Sequence, residues 1–306
     1  MGINPILALQ GALTVLTVIF VAGWWTALAA VRRAERTSGS PVTEAGAPRA
    51  TDVGTGALTN FFDTLGIGSF ATTTSIFRAA RMVPDRVVPG TLNVGHTLPT
   101  IVQALIYTSI IKVDILTLFA FIAAAILGAW LGAGVVSSWP KQKVQIGMGA
   151  ALLGAATLMF MTQMDMFPGG GSALGVRGPK LAIGVTVNFL LGALMSLGIG
   201  LYAPCMILVS LLGMNPTAAF PIMMGSCAFL MPVGSLRFIR ERCYSVRAAL
   251  GLAVGGIPGV LLAAFVVKSM PIYVVRWLVI VVVVYTAVTM LRAGLRDVRG
   301  DMTPGR

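Results

Sequence analysis

Residues 60–75 read Asn60-Phe61-Phe62-Asp63-Thr64-Leu65-Gly66-Ile67-Gly68-Ser69-Phe70-Ala71-Thr72-Thr73-Thr74-Ser75. The stretch places an acid, two glycines and a run of hydroxyls inside an apolar block. Its centre, Leu65-Gly66-Ile67-Gly68, returns as Leu197-Gly198-Ile199-Gly200 at an offset of 132. At the same offset Met82 matches Met214, Pro84 matches Pro216 and Pro89 matches Pro221. Further along the offset becomes 131, where Gly128 matches Gly259 and Pro140 matches Pro271. One repeated tetrapeptide means little in a chain rich in Leu, Gly and Ile. Matches that keep sequence order with a single one-residue slip predict an internal duplication.

Composition sets the solvent. Of 306 residues, 57% are hydrophobic and 10% charged, with a mean hydropathy of +0.89. Soluble domains carry about a quarter charged residues, so a soluble enzyme, a disordered chain and a fibrous repeat are excluded, and the partner is a lipid bilayer. The 22 Lys and Arg against 10 acids give a net charge of +12. These bases lie in short clusters between apolar segments, with no stripe for nucleic acid; they predict retention of loops on the cytoplasmic side. Cys205, Cys227 and Cys243 form no CxxC or His-paired cluster, which predicts reduced structural thiols and no zinc site. No cofactor is expected.

The first apolar run, 6–31, has no Lys or Arg before it and Arg32, Arg33 and Arg36 after it. That order is the reverse of a signal peptide and puts the N-terminus outside the cytoplasm. A polar stretch follows, then apolar segments at 54–77, 90–111, 115–137, 144–162, 181–212, 218–236, 248–267 and 272–291. The expected organisation is an N-terminal helix (1–31), a polar cytoplasmic linker (32–52) and a first transport repeat (53–163). An external Gly-rich loop (164–180), a second repeat (181–295) and a cytoplasmic tail (296–306) complete it. Each LGIG segment either crosses the membrane or enters and returns as a hairpin. Hairpins put 17 Lys and Arg on the cytoplasmic face and 5 outside, whereas single crossings give 15 and 7. The positive-inside bias therefore favours hairpins. The predicted fold is an all-α polytopic membrane protein with one extra N-terminal helix. Each repeat holds one Gly-broken re-entrant hairpin and three transmembrane helices, and that odd number of crossings inverts the second repeat relative to the first.

Candidate functional residues cluster at the tips. Ser69 can cap the arm that follows the first tip, and Tyr202-Ala203-Pro204 begins the second, with proline suited to a first helical turn. Both arms would aim a positive dipole end at the bilayer centre, where it suits a small anion. The expected substrate-binding set is Gly66, Gly68, Ser69, Thr72, Thr73, Gly198, Gly200 and Tyr202. The plainer reading is that the glycines allow close packing and the threonines bond their own helix. Asp63 is the one acid well inside an apolar segment, a placement costing about 2.5–3.5 kcal/mol on insertion scales. It and His96 are the proton-coupling candidates, against a wet vestibule for Asp63 and a packing role for His96. Gln103, seven residues after His96, would line the same path, and Asn60 and Asn188 are further polar candidates. The spacings Gly128-xxx-Gly132, Gly251-xxx-Gly255 and Gly255-xxx-Gly259 read as helix-packing faces. No HExxH, GxSxG or Walker motif occurs, so no enzyme activity is expected.

The paired LGIG tips, Pro84 and Pro216 after the hairpins, and the Gly-rich later helices resemble the sulfite exporter TauE/SafE family of membrane permeases. The resemblance covers roughly 53–295 and is stronger around 197–226. The tips here carry Ser69-Phe70 and Leu201-Tyr202, where the family has further glycine. The resemblance implies a bacterial inner-membrane exporter of a small anion, sulfite or an organosulfonate. The charge distribution puts the C-terminus in the cytoplasm, and a homo-oligomer is among the expected partners. The competing expectation is a non-transporting membrane scaffold that helps an envelope or redox enzyme assemble.

Overall fold

The computed structural model describes residues 4–38, 47–136, 141–164, 171–195 and 201–301. Those residues are all-helical apart from one isolated bridge, Ala173 to Met214. In chain order the helices are α1 (Pro5–Ser38), α2 (Ala50–Thr64), α3 (Ser69–Ala79), α4 (Val88–Ile110), α5 (Ile115–Val136) and α6 (Lys141–Gln163). They continue as α7 (Gly178–Met195), α8 (Tyr202–Leu211), α9 (Ala219–Arg240), α10 (Val246–Ser269) and α11 (Ile272–Asp301). The first helix runs past the expected end at residue 31, because Ala, Arg and Glu in 29–36 are strong helix formers that carry it on to Ser38.

Among the described residues, five helices are long and apolar enough to cross a membrane: Pro5–Ala30, Gly178–Met195, Pro216–Arg240, Val246–Val267 and Tyr273–Leu295. By contrast α2, with 15 residues, and α3, with 11, rise only about 22 and 16 Å. Neither spans a hydrocarbon core of about 30 Å. The α2 helix is also inverted relative to a soluble amphipathic helix. Its Asp52, Thr55, Thr59, Asn60, Asp63 and Thr64 are buried, while Leu58 is 52% exposed and Phe62 37%. Polar groups inward and apolar groups outward is the arrangement that lipid favours.

The chain forms two compact units, each drawn from both halves of the sequence. The first comprises Met1–Ile110 with Cys227–Lys268, and the second Ile111–Ser226 with Ser269–Arg306. Within the first unit α10 lies against α2. A Cβ on Gly56 would stand 2.7 Å from the Leu252 backbone, Gly255 abuts the Val53 carbonyl, and Gly259 abuts the Ala57 carbonyl. Within the second unit α5 lies against α7, where Gly128 abuts the Phe189 carbonyl and Gly192 the Ala125 carbonyl. These contacts correspond. Gly259 and Gly128 are counterparts at the offset of 131, and Ala57 and Phe189 at 132. The same backbone-to-backbone approach is thus made twice, at glycines that the spacing marked as packing faces.

The N-terminal helix is fastened to the first unit. Phe20, Trp24 and Leu28 pack with Val94, Ile239, Tyr244, Ala249 and Ala253, and the Trp24 indole N–H donates to the Tyr244 hydroxyl at 3.2 Å. Near its other end, Gln10 donates to the hydroxyls of Thr108 and Ser109 at 3.2 and 2.8 Å.

Candidate functional site

The first LGIG segment is a helix break built from two glycines with different tasks. At the end of α2, Gly66 N–H donates to the Asp63 carbonyl at 2.8 Å and Ile67 N–H to the Phe62 carbonyl at 3.1 Å. That pair is the Schellman pattern, which places a left-handed residue just past the helix; Gly66 supplies it with φ 96°. Gly68, at φ 87°, then caps α3. Ser69 is therefore the first residue of α3 and not its cap, contrary to the expectation. The side chain that closes the open N–H is Asp63, whose Oδ1 accepts from Ser69 N–H at 2.6 Å. A carboxylate is well suited to that position, since helix N-termini carry free donors and partial positive charge.

Asp63 belongs to a wider buried network inside the first unit. Gln103 on α4 donates from Nε2 to Asp63 Oδ2 and to the Thr64 hydroxyl, both at 2.9 Å. The Thr64 hydroxyl donates in turn to the Asn60 carbonyl at 2.7 Å. Asn60 Nδ2 donates to the Gly56 carbonyl at 2.8 Å, which leaves its Oδ1 facing His96 Nδ1 at 3.1 Å. On the far side of the ring, His96 Nε2 lies 3.0 Å from the Thr73 hydroxyl on α3, and the Phe70 ring lies 5.9 Å from the imidazole. Asp63 is 3% exposed, and Asn60, Thr73, His96 and Gln103 are fully buried. Asp63 and His96, singled out separately in the sequence, thus sit in one set of contacts with Gln103, Asn60 and Thr73. Asp63 faces protein groups here, not a wet vestibule.

The hydroxyl run divides by function. Thr72 bonds the Gly68 and Ser69 carbonyls at 3.1 and 2.9 Å, Thr74 the Phe70 carbonyl at 2.7 Å and Ser75 the Ala71 carbonyl at 2.9 Å. For Thr72, Thr74 and Ser75 the plainer reading is the observed one: each hydroxyl satisfies itself on its own helix. Thr73 alone reaches across to α4.

Sequence reasoning assigned Asp52 to a polar linker, yet it is fully buried near the start of α2. Its Oδ2 accepts from Arg49 N–H at 2.9 Å and lies 3.2 Å from Arg247 Nε. Arg247 also donates to the Met82 carbonyl at 3.2 Å. The signal was present in the spacing: residues 52, 55, 56, 59, 60 and 63 recur at three and four, marking one helical stripe. Its members are polar, so no apolar periodicity marks it.

In the second unit Gly198 and Gly200 lie outside the described residues. Tyr202 begins α8 and is buried, and Pro204 occupies its first turn as expected. Most counterparts of the first-unit network lack its polar groups, although Thr64 and Gln103 become Ser196 and Ser235. At the offset of 132 Asp63 becomes Met195, Asn60 becomes Gly192, Ser69 becomes Leu201, Thr73 becomes Cys205 and His96 becomes Ala228. Asn188 donates to the Phe121 carbonyl at 2.7 Å and so ties α7 to α5. Between α4 and α5, Asp114 accepts two bonds from Arg177 at 2.5 and 2.6 Å and one from Thr117 N–H at 2.9 Å. The Arg177 guanidinium holds the Asp114 carboxyl well below the usual carboxylate range, and Asp114 raises Arg177 in return. Among the described residues no three His, Cys, Asp or Glu side chains gather to hold a metal. No family model matches the chain, and neither a curated protein nor a solved structure matches it.

Proposed function

We propose that this chain is a secondary transporter of a small anion in a bacterial inner membrane, working outward on sulfite or an organosulfonate. The observation that carries this reading is the buried polar network around the first tip. It sets an acid, a histidine and a broken helix pair inside a chain whose outward surfaces are apolar. Ionisable groups held at that depth usually mark ion or proton paths. The anion class follows from the helix N-terminus at Ser69, a donor end that already accommodates one carboxylate. The sulfur substrate and the TauE/SafE assignment rest on the paired LGIG tips and the prolines after them.

The inverted-repeat reading is supported by the duplicated glycine contacts, Gly259 on Ala57 and Gly128 on Phe189. It is supported also by the brevity of α2 and α3, each short enough for one arm of a re-entrant hairpin. In this reading the anion-binding groups are Gly66, Gly68 and Ser69 at the first tip and Gly198, Gly200 and Tyr202 at the second. Asp63 and His96 supply proton coupling. The N-terminus lies outside and the C-terminus in the cytoplasm. The protonatable groups Asp63 and His96 belong to the first repeat, and their counterparts in the second, Met195 and Ala228, carry none.

The direct test is efflux of labelled sulfite and taurine from proteoliposomes holding the purified chain, with Asp63→Asn alongside. Transport by the wild type that fails in the variant is the expected result. Transport that is unchanged in Asp63→Asn removes the acid from the mechanism. No flux of any sulfur anion removes the substrate class, and co-purification of a defined enzyme partner with no flux favours an assembly scaffold instead.

A further inference from the structure

The contacts of Asp63 have a chemical consequence that does not depend on what is transported. Both of its oxygens face donors: Ser69 N–H at Oδ1, 2.6 Å away, and Gln103 Nε2 at Oδ2, 2.9 Å away. Ser69 is the first residue of α3, Gln103 belongs to α4, and Asp63 is in the last turn of α2. A single carboxylate therefore joins three helices across a break made of Gly66, Ile67 and Gly68. The ionised group is acceptor-only and satisfies both partners. A proton on either oxygen converts that oxygen into a donor opposite an N–H, and one of the two contacts is lost.

We propose that Asp63 is a proton-operated latch on the first tip: ionised, it holds the α3 N-terminus to α2 and α4, and protonated, it releases the tip. The break gives the latch something to act on. Two positive-φ glycines flank Ile67, and a Cβ at Gly68 would meet nothing within 4 Å. Phe70 and Thr73 tie the body of α3 to its neighbours, and at the tip itself the Asp63 carboxylate is the contact that holds the Ser69 N–H. Besides Asp63, the described titratable side chains on α2, α3, α4 and α10 are Asp52, Arg78, His96, Tyr107 and Arg247. On α2 itself, Asp52 lies eleven residues earlier and pairs with Arg247 of α10. Helix α3 carries only Arg78, in its last turn. Helix α4 carries His96, held between Asn60 and Thr73, and Tyr107. His96 is the group whose own titration must be separated from that of Asp63.

Within the transport reading, on which only this consequence rests, the latch fixes the sign of coupling. A carboxylate on the α3 N-terminus and an external anion there exclude each other, so anion entry accompanies proton uptake at Asp63. Proton and anion then move in the same direction, so outward movement is driven by the internal anion concentration and, for a dianion, by the membrane potential as well.

The latch is tested by amide hydrogen exchange of a tip peptide covering residues 64–72, in nanodiscs from pH 4 to pH 9, with rates corrected for intrinsic pH dependence. In the wild type and in His96→Asn, protection at the tip falls about tenfold on the acid side, the equivalent of one lost hydrogen bond. In Asp63→Asn protection is low and independent of pH, because Nδ2 cannot accept from Gln103. Wild-type protection that stays constant across the range overturns the proposal even if no variant folds. So does a profile that survives in Asp63→Asn, or one that disappears in His96→Asn. Efflux plays no part in this readout, so failure of the latch and failure of the transport reading are seen separately.

Discussion

His96 Nε2 lies 3.0 Å from the hydroxyl of Thr73, and Nδ1 faces Asn60 Oδ1 at 3.1 Å on the other side of the ring. Because Asn60 spends its Nδ2 on the Gly56 carbonyl, the imidazole donates from Nδ1 to Asn60 Oδ1. In the neutral ring this fixes a single tautomer, in which Nε2 accepts from the Thr73 hydroxyl. Thr73→Val keeps the shape and removes the donor, leaving Nε2 buried and unsatisfied. The expected cost is about 1–3 kcal/mol, read as a lower thermal unfolding midpoint, with Thr73→Ser close to wild type. Thr72→Val, whose hydroxyl only bonds its own helix, stays within about 0.5 kcal/mol.

The tip glycines answer for their backbone angles. At φ 96° and 87°, Gly66 and Gly68 sit where a side chain costs about 1–2 kcal/mol per residue. A Cβ at Gly68 has open space around it, so substitution there isolates the conformational term from any clash. Gly68→Ala is expected to lower the unfolding midpoint and Gly68→Val to lower it further, while Gly68→Asn gains little over Ala, because ψ 127° puts Gly68 outside the left-handed region that Asn tolerates. A Gly68→Ala variant as stable as wild type would show that backbone angle is not what the position requires.

The paired helix contacts make a prediction with an internal control. Alanine at Gly259 would drive its Cβ into the Ala57 carbonyl, and alanine at Gly128 into the Phe189 carbonyl. Overpacking of that kind costs about 1–3 kcal/mol, and the two variants are expected to be similarly destabilised. At Gly147 and Gly154 a Cβ meets nothing within 4 Å. There Gly→Ala gains helix propensity, up to about 1 kcal/mol, so thermal midpoints should move in opposite directions for the two pairs.

Much of this architecture was legible before any coordinates. Helix breaks at Gly66 and Gly68 followed from residue type, because only glycine enters positive φ cheaply. The packing role of Gly128, Gly255 and Gly259 followed from a spacing of four. Two features were not legible. Ser69 looked like a cap because hydroxyls often are, yet Asp63 reached the same N–H from six residues upstream, and tertiary geometry chose the stronger acceptor. Asp52 was hidden because the polar stretch before it masked the start of α2. Its burial depends on Arg247, 195 residues away, a pairing that no local pattern carries.

Asp114 offers a pH-dependent test outside the apolar segments. Its carboxyl is held below the ordinary range by the hydrogen bonds from Arg177 first, and Thr117 adds to the effect. A depressed folded value means the stabilisation is present above the unfolded carboxylate range, about 3.9, and is lost as pH falls through the folded value. The wild type is therefore expected to keep this contribution at neutral pH and lose it only in strong acid, below pH 4. Arg177 is 59% exposed and Asp114 28%, so the ion pair itself is screened by solvent and contributes little. The cap is the larger part. Asp114 Oδ1 accepts from Thr117 N–H at the start of α5, and Asp114→Ala should cost about 0.5–2 kcal/mol at neutral pH. Asp114→Asn keeps the acceptor, so its unfolding midpoint should lie nearer wild type at pH 7 and merge with it in acid. If Asn and Ala variants fall together at pH 7, the charge and not the cap holds this turn.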